Sequence, residues 1–114
     1  MVMVMNAVRN IIYEGASRVS PGLLEALNLV CTTNTGRDCI DLLFNEPETL
    51  RRILLGFIGN AIAVRIVIKT IFLKPIERHF NTDSEALATL FFEDIEMFKE
   101  FINSIIQPLS LQAY

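Results

Sequence analysis

Tryptophan is absent, histidine occurs once and cysteine twice in 114 residues, which removes most of the side chains that metal and nucleophilic chemistry draw on. With His79 as the sole imidazole, the paired Glu-x-x-His motifs of di-iron bundles cannot be assembled, and Glu77-x-His79 has the wrong spacing. Cys31 and Cys39 cannot complete a metal site alone, and their spacing fits no zinc or redox motif. They read as buried inert thiols, because a disulfide is disfavoured in the intracellular setting assumed for this chain. None of the five glycines follows a strand and opens a phosphate-cradling helix, which excludes a P-loop or dinucleotide fingerprint. Basic charge is not in excess either: ten Lys and Arg face thirteen Asp and Glu, a net −3 that argues against nucleic-acid binding. The opening MVMVMNAVRN has no charged leader and no cleavage site, so it is read as lacking a signal peptide, with a cytoplasmic location expected. No enzymatic activity, metal or cofactor is expected.

What the chain does have is apolar surface. Hydrophobic residues make up 52% and charged residues only 20%, and the mean hydropathy of +0.42 is high for a chain with so much surface to cover. The expectation is a single helical domain over 1–114, with some apolar surface reserved for a partner. Val4, Val8, Ile11 and Ile12 recur at helical spacing and predict a first helix from Val2 to Tyr13, ended by Gly15. Ser20-Pro21 opens a second, which buries Leu23, Leu24, Leu27, Val30 and Cys31. Thr32 to Gly36 reads as a loop, and Asp38 to Leu43 as a short helical turn. Pro47 leads a third helix to Ile58, and Gly59-Asn60 stops it and caps the next.

The run from Ile53 to Leu73 has nearly the length of a bilayer span. Yet it carries Arg65 and Lys69 as well as Gly56, Gly59 and Asn60, and each cation near a bilayer centre costs about 2.5 to 3.5 kcal/mol. It is therefore read as protein core, with a fourth helix from Asn60 to Leu73 ended by Pro75. That helix is apolar on two sides: Ala61, Val64, Ile68, Ile71 and Phe72 on one, Ile62, Ile66 and Leu73 on another. Such a helix belongs in the centre of a bundle or between two subunits. Val64 to Ile68 is locally strand-like, but its surroundings favour helix. Gly56, Gly59 and Ala63 suggest a ridge of small side chains for close helix approach.

Thr82 to Glu85 has capping-box spacing and predicts one long fifth helix stopped at Gln107-Pro108, with 106–114 as a mobile tail. Its Glu93, Glu96 and Glu100 could form a carboxylate-only metal cluster, though solvated carboxylates account for them more simply. Six basic residues lie between Arg51 and Arg78, and six acidic ones between Asp83 and Glu100, so the two segments should pack side by side. Four of the eight phenylalanines fall on the fifth helix. Phe91, Phe98 and Phe101 share its buried face, and Phe92 lies off it as an exposed contact.

The segment Asp41-Leu42-Leu43-Phe44-Asn45-Glu46-Pro47-Glu48-Thr49-Leu50, continued through Ile53-Leu54 and Phe57-Ile58-Gly59-Asn60-Ala61, resembles the Nitrosopumilus output-domain family of small archaeal helical domains. The resemblance covers Ile12 to Phe80. It implies a small all-helical domain, which some members append to signalling proteins, and supplies no activity and no functional residues. The acidic fifth helix departs from that pattern.

The reading that follows is an all-α bundle of about five helices with a central apolar helix and a long acidic C-terminal helix. Its expected role is a non-enzymatic interaction module that forms a homodimer or binds one protein partner. The interface or pocket residues are Ala61, Val64, Ile68, Phe72, Phe91, Phe92, Phe98 and Phe101. The alternative is a carrier of an apolar small molecule in a phenylalanine-lined cavity, and a third reading attaches Ile53 to Leu73 to a membrane surface.

Overall fold

A computed structural model describes the chain over residues 2–112, with side chains over 6–105. Helix α1 spans Val2–Val19, α2 Leu23–Thr35, α3 Cys39–Asn45 and α4 Pro47–Ile58. Helix α5 runs Ala61–Phe80, and α6 Ser84–Glu93 and α7 Ile95–Gln112 complete the order. No strand occurs among the described residues, so Val64 to Ile68 is helical as expected. These seven helices, rather than five, form a compact globule with a radius of gyration of 13.1 Å. Its one continuous apolar core runs through all seven helices, and its largest side chains are Phe44, Phe72, Phe91 and Phe98.

Several boundaries fall where local chemistry puts them. Asp38 caps α3 by accepting from the Asp41 N–H at 2.8 Å. Pro47 occupies the first turn of α4, where its missing N–H has no bond to lose. Gly59 then adopts φ 81°, and the Asn60 side chain accepts from the Ala63 N–H at 3.0 Å to start α5. The chain turns by 119° there.

Other boundaries are set by distant neighbours. Gly15 does not end α1. A Cβ at that position would lie 2.7 Å from Pro75 Cβ and closer still to its Cγ, so glycine is required by the close approach of α5. Pro75 in turn does not end α5. The stretch Ile68–Leu73 is π-helical, and the Lys74 N–H reaches the Lys69 carbonyl five residues back. The widened turn relieves the clash between the proline ring and the carbonyl four residues before it. Ser20 does not cap α2 with its hydroxyl; Gly22, at φ 87°, takes the N-cap position. The predicted Thr32 to Gly36 loop is helical to Thr35, where Thr35 Oγ1 donates to the Cys31 carbonyl at 2.9 Å and Asn34 Nδ2 to that of Val30 at 2.8 Å. Gly36, at φ 79°, ends it.

The predicted fifth helix is two. Asp83 rather than Thr82 caps α6, accepting from the Glu85 N–H at 2.9 Å. Asp94 then breaks the run, and its carboxylate accepts from the Met97 N–H at 3.2 Å to start α7. The helix continues past the predicted stop at Pro108 to Gln112. The side chains of Val4 and of the predicted tail 106–114 lie outside the described residues.

The two cysteines are also corrected. Gly36 turns the chain so that Cys31, near the end of α2, and Cys39, at the start of α3, come within 5.5 Å Cα to Cα, and they are joined as a disulfide. The expected free thiols are therefore absent. Both are fully buried. Around them Arg9 pairs with Asp38 at 3.0 Å, Asn28 donates to the Tyr13 hydroxyl, and the Cys39 N–H donates to Asn28 Oδ1 at 3.0 Å. The start of α3 is thereby tied to both α1 and α2.

Candidate functional site

Five of the eight predicted site residues, Val64, Ile68, Phe72, Phe91 and Phe98, are fully buried in the core. The rings of Phe91 and Phe98 meet edge to face at 5.2 Å, so they pack on each other. Ala61 is exposed at the α4–α5 corner. The expected roles of Phe92 and Phe101 are exchanged. Phe92 is half-buried with its ring edge-on to Phe91 at 5.4 Å, whereas Phe101 is 49% exposed. The break at Asp94 explains this, since α7 is free to set its own phase and buries Phe98 and Ile102. It also puts Glu93 on a different helix from Glu96 and Glu100, and among the described residues no three His, Cys, Asp or Glu gather to hold a metal ion.

The surface features that matter are apolar. Phe57 at the end of α4 is 60% exposed, and Ile62, just beyond the corner, is 72% exposed. Ile66 follows one turn after Ile62, and Met97 and Phe101 make a similar pair on α7. These large apolar side chains thus stand exposed in i, i+4 pairs on two helices. The sequence singled out Ile62 and Ile66 as a second stripe but had no signal for Phe57 or Met97.

Between α2 and α4 lies an open groove of about 440 Å³, lined by Val30, Asn34, Thr35, Arg52, Ile53, Gly56 and Phe57. Arg52 is exposed and, among the described residues, belongs to no ion pair. A smaller hollow of about 190 Å³ sits over the Gly15–Pro75 contact, with Glu14, Arg18, Arg78 and His79 at its rim. Neither hollow is lined by the phenylalanine cluster of the core.

The charge blocks meet as their signs require. Arg65 pairs with Glu85 at 3.1 Å and donates to Thr89 at 2.8 Å, and Lys69 pairs with the other oxygen of Glu85. Lys69 and Arg65 together hold the Glu85 carboxyl below its usual range. Arg51 donates to the carbonyls of Phe91 and Phe92, at 3.1 and 3.3 Å, where α6 runs out of its own donors. Glu77 accepts from the Ser84 N–H at 2.7 Å and pairs with Lys74 at 3.1 Å, and these contacts, the Ser84 N–H first, lower its carboxyl to about 2. Burial and the nearby Asp38 and Glu25 push the Tyr13 phenol up. Each of these groups is engaged in joining helices.

The fold and surface define an all-helical globule with paired apolar side chains on its outside. No protein-family model, curated protein or solved structure matches this chain. No single helix among the described residues is long and apolar enough to cross a membrane, although α4 and α5 together pass that test as a bent pair.

Proposed function

We propose that the chain is a non-enzymatic interaction module that self-associates through apolar helix faces. The observation that carries this reading is the exposure of Phe57, Ile62, Ile66, Met97 and Phe101 on helices whose other faces are already buried. Leaving roughly half of each such side chain in water forgoes on the order of 1 kcal/mol, which contact with another protein surface recovers. The resemblance to an archaeal output domain fits the same reading, as a module that passes a signal by contact. Sedimentation velocity over a micromolar concentration series tests it. A rising weight-average sedimentation coefficient is expected, and a monomer at every concentration overturns it. A carrier of apolar small molecules has less support, since Phe91 and Phe98, which would line its cavity, fill the core against each other.

A further inference from the structure

The five glycines separate into those whose presence the chain explains and one it does not. Gly22, Gly36 and Gly59 hold φ between 79° and 87°, a region that side chains avoid. Gly15 sits against Pro75. Gly56 has neither reason: it lies inside α4, and among the described residues a Cβ there would meet nothing within 4 Å. Glycine in a helix interior costs about 1 kcal/mol relative to alanine. Gly56 lines the groove between α2 and α4, with Ile53 and Phe57 beside it and Arg52 at its edge. A bare backbone in such a place admits another chain to close approach.

The occupant is indicated by charge. The groove contributes one unpaired cation and no carboxylate. On α7, the exposed pair Met97 and Phe101 is flanked by Glu96 and Glu100, both exposed and, among the described residues, without ion-pair partners. An apolar ridge edged with acid thus matches an apolar groove edged with base, and the Met97 thioether and the Phe57 ring are a favourable pair. We propose that the groove over Gly56 in one copy receives the Met97–Phe101 ridge of α7 from a second copy, with Arg52 facing Glu100. This inference rests on the self-association proposed above and assigns its two surfaces. Because they differ, the contact is heterologous: it continues from copy to copy unless a symmetry closes it.

The test uses two full-length variants. Gly56→Leu fills the groove and leaves the ridge intact, and Met97→Glu with Phe101→Glu spoils the ridge and leaves the groove. By sedimentation velocity each alone should be monomeric under conditions where the wild type associates. Mixed, they should form a one-to-one pair and nothing larger, because only one groove and one ridge remain. Gly56→Ala serves if Gly56→Leu loses helical circular dichroism, and should weaken association about tenfold while raising the melting temperature. Reversing the charges with Arg52→Glu and Glu100→Arg should weaken association singly and restore it together. If the wild type associates but either variant still does so alone, or the mixture stays monomeric, the assignment is overturned and self-association stands. A wild type monomeric at every concentration overturns both, as does a monomer that floats with vesicles of anionic phospholipid through Phe57.

Discussion

Two glycines inside helices, Gly15 in α1 and Gly56 in α4, belong to two regions that treat the same residue in opposite ways. At the seam between α1 and α5 the missing side chain is occupied by Pro75, and the helices close on each other. At the groove between α2 and α4 the equivalent space is empty. A glycine in a helix is thus a statement about a neighbour, and at Gly56 no described residue of the same chain answers to that description.

The comparison can be broken at the seam first. Gly15→Val should destabilise by about 3 kcal/mol, because its Cβ would overlap a rigid proline ring, and should lower the melting temperature by about 12 °C. A smaller loss would mean that α1 and α5 can part at little cost. The groove side is held covalently, by Cys31–Cys39. Reducing that bond, or replacing both cysteines with alanine, should cost about 2.5 kcal/mol in denaturant unfolding, as for a short closed loop. Gly56→Ala should do the reverse of Gly15→Val and stabilise the monomer by about 1 kcal/mol in thermal unfolding, since the new methyl meets only open space. A loss there instead would mean that the groove is closed in solution.

An effect no larger than that at Gly56 belongs to Glu77, at the far end of α5. Its carboxyl is lowered to about 2 from an ordinary value of 4.5. The contribution it makes to stability is therefore complete above pH 4.5 and is lost as the pH falls toward 2. Glu77→Gln should cost about 1 kcal/mol at pH 7, for the charge-assisted bonds it removes, and the difference from wild type should close near pH 2.

How much of this was legible in the sequence depended on whether the deciding neighbour was local. Pro47, Gly59 and Asn60 act within one turn of themselves, and α4 with its corner was read as it stands. Gly15 and Pro75 lie 60 residues apart in sequence and excuse each other, so reading either alone gave a false stop. Asp94 breaks the acidic helix with neither glycine nor proline, through a side-chain cap that is visible only as an aspartate three residues before Met97. That break is why a single unbroken period puts Phe101 inside and Phe92 outside, the reverse of what the structure shows. Val64, Ile68 and Phe72 form one apolar stripe, as their spacing predicts, but the stripe is core, and the surface is set by residues one side of it, Ile62 and Ile66. Hydrophobic period reports which residues share a face and says nothing of which face stays wet.

The π-helical stretch of α5 has a consequence for how that helix tolerates change in length. A turn holding one residue more than its neighbours sets back the angular phase of everything after it by about 100° relative to an unbroken helix. Here that offset lets three successive residues, Ile71, Phe72 and Leu73, all be buried while Pro75 and Ile76 still face inward and Arg78 and His79 face out. Deleting a single residue between Ile68 and Leu73 would therefore close the wide turn to an ordinary α-helical one and leave the last two turns in phase, with Pro75 still seated on Gly15, at the cost of renewed crowding between the proline ring and the carbonyl four residues before it.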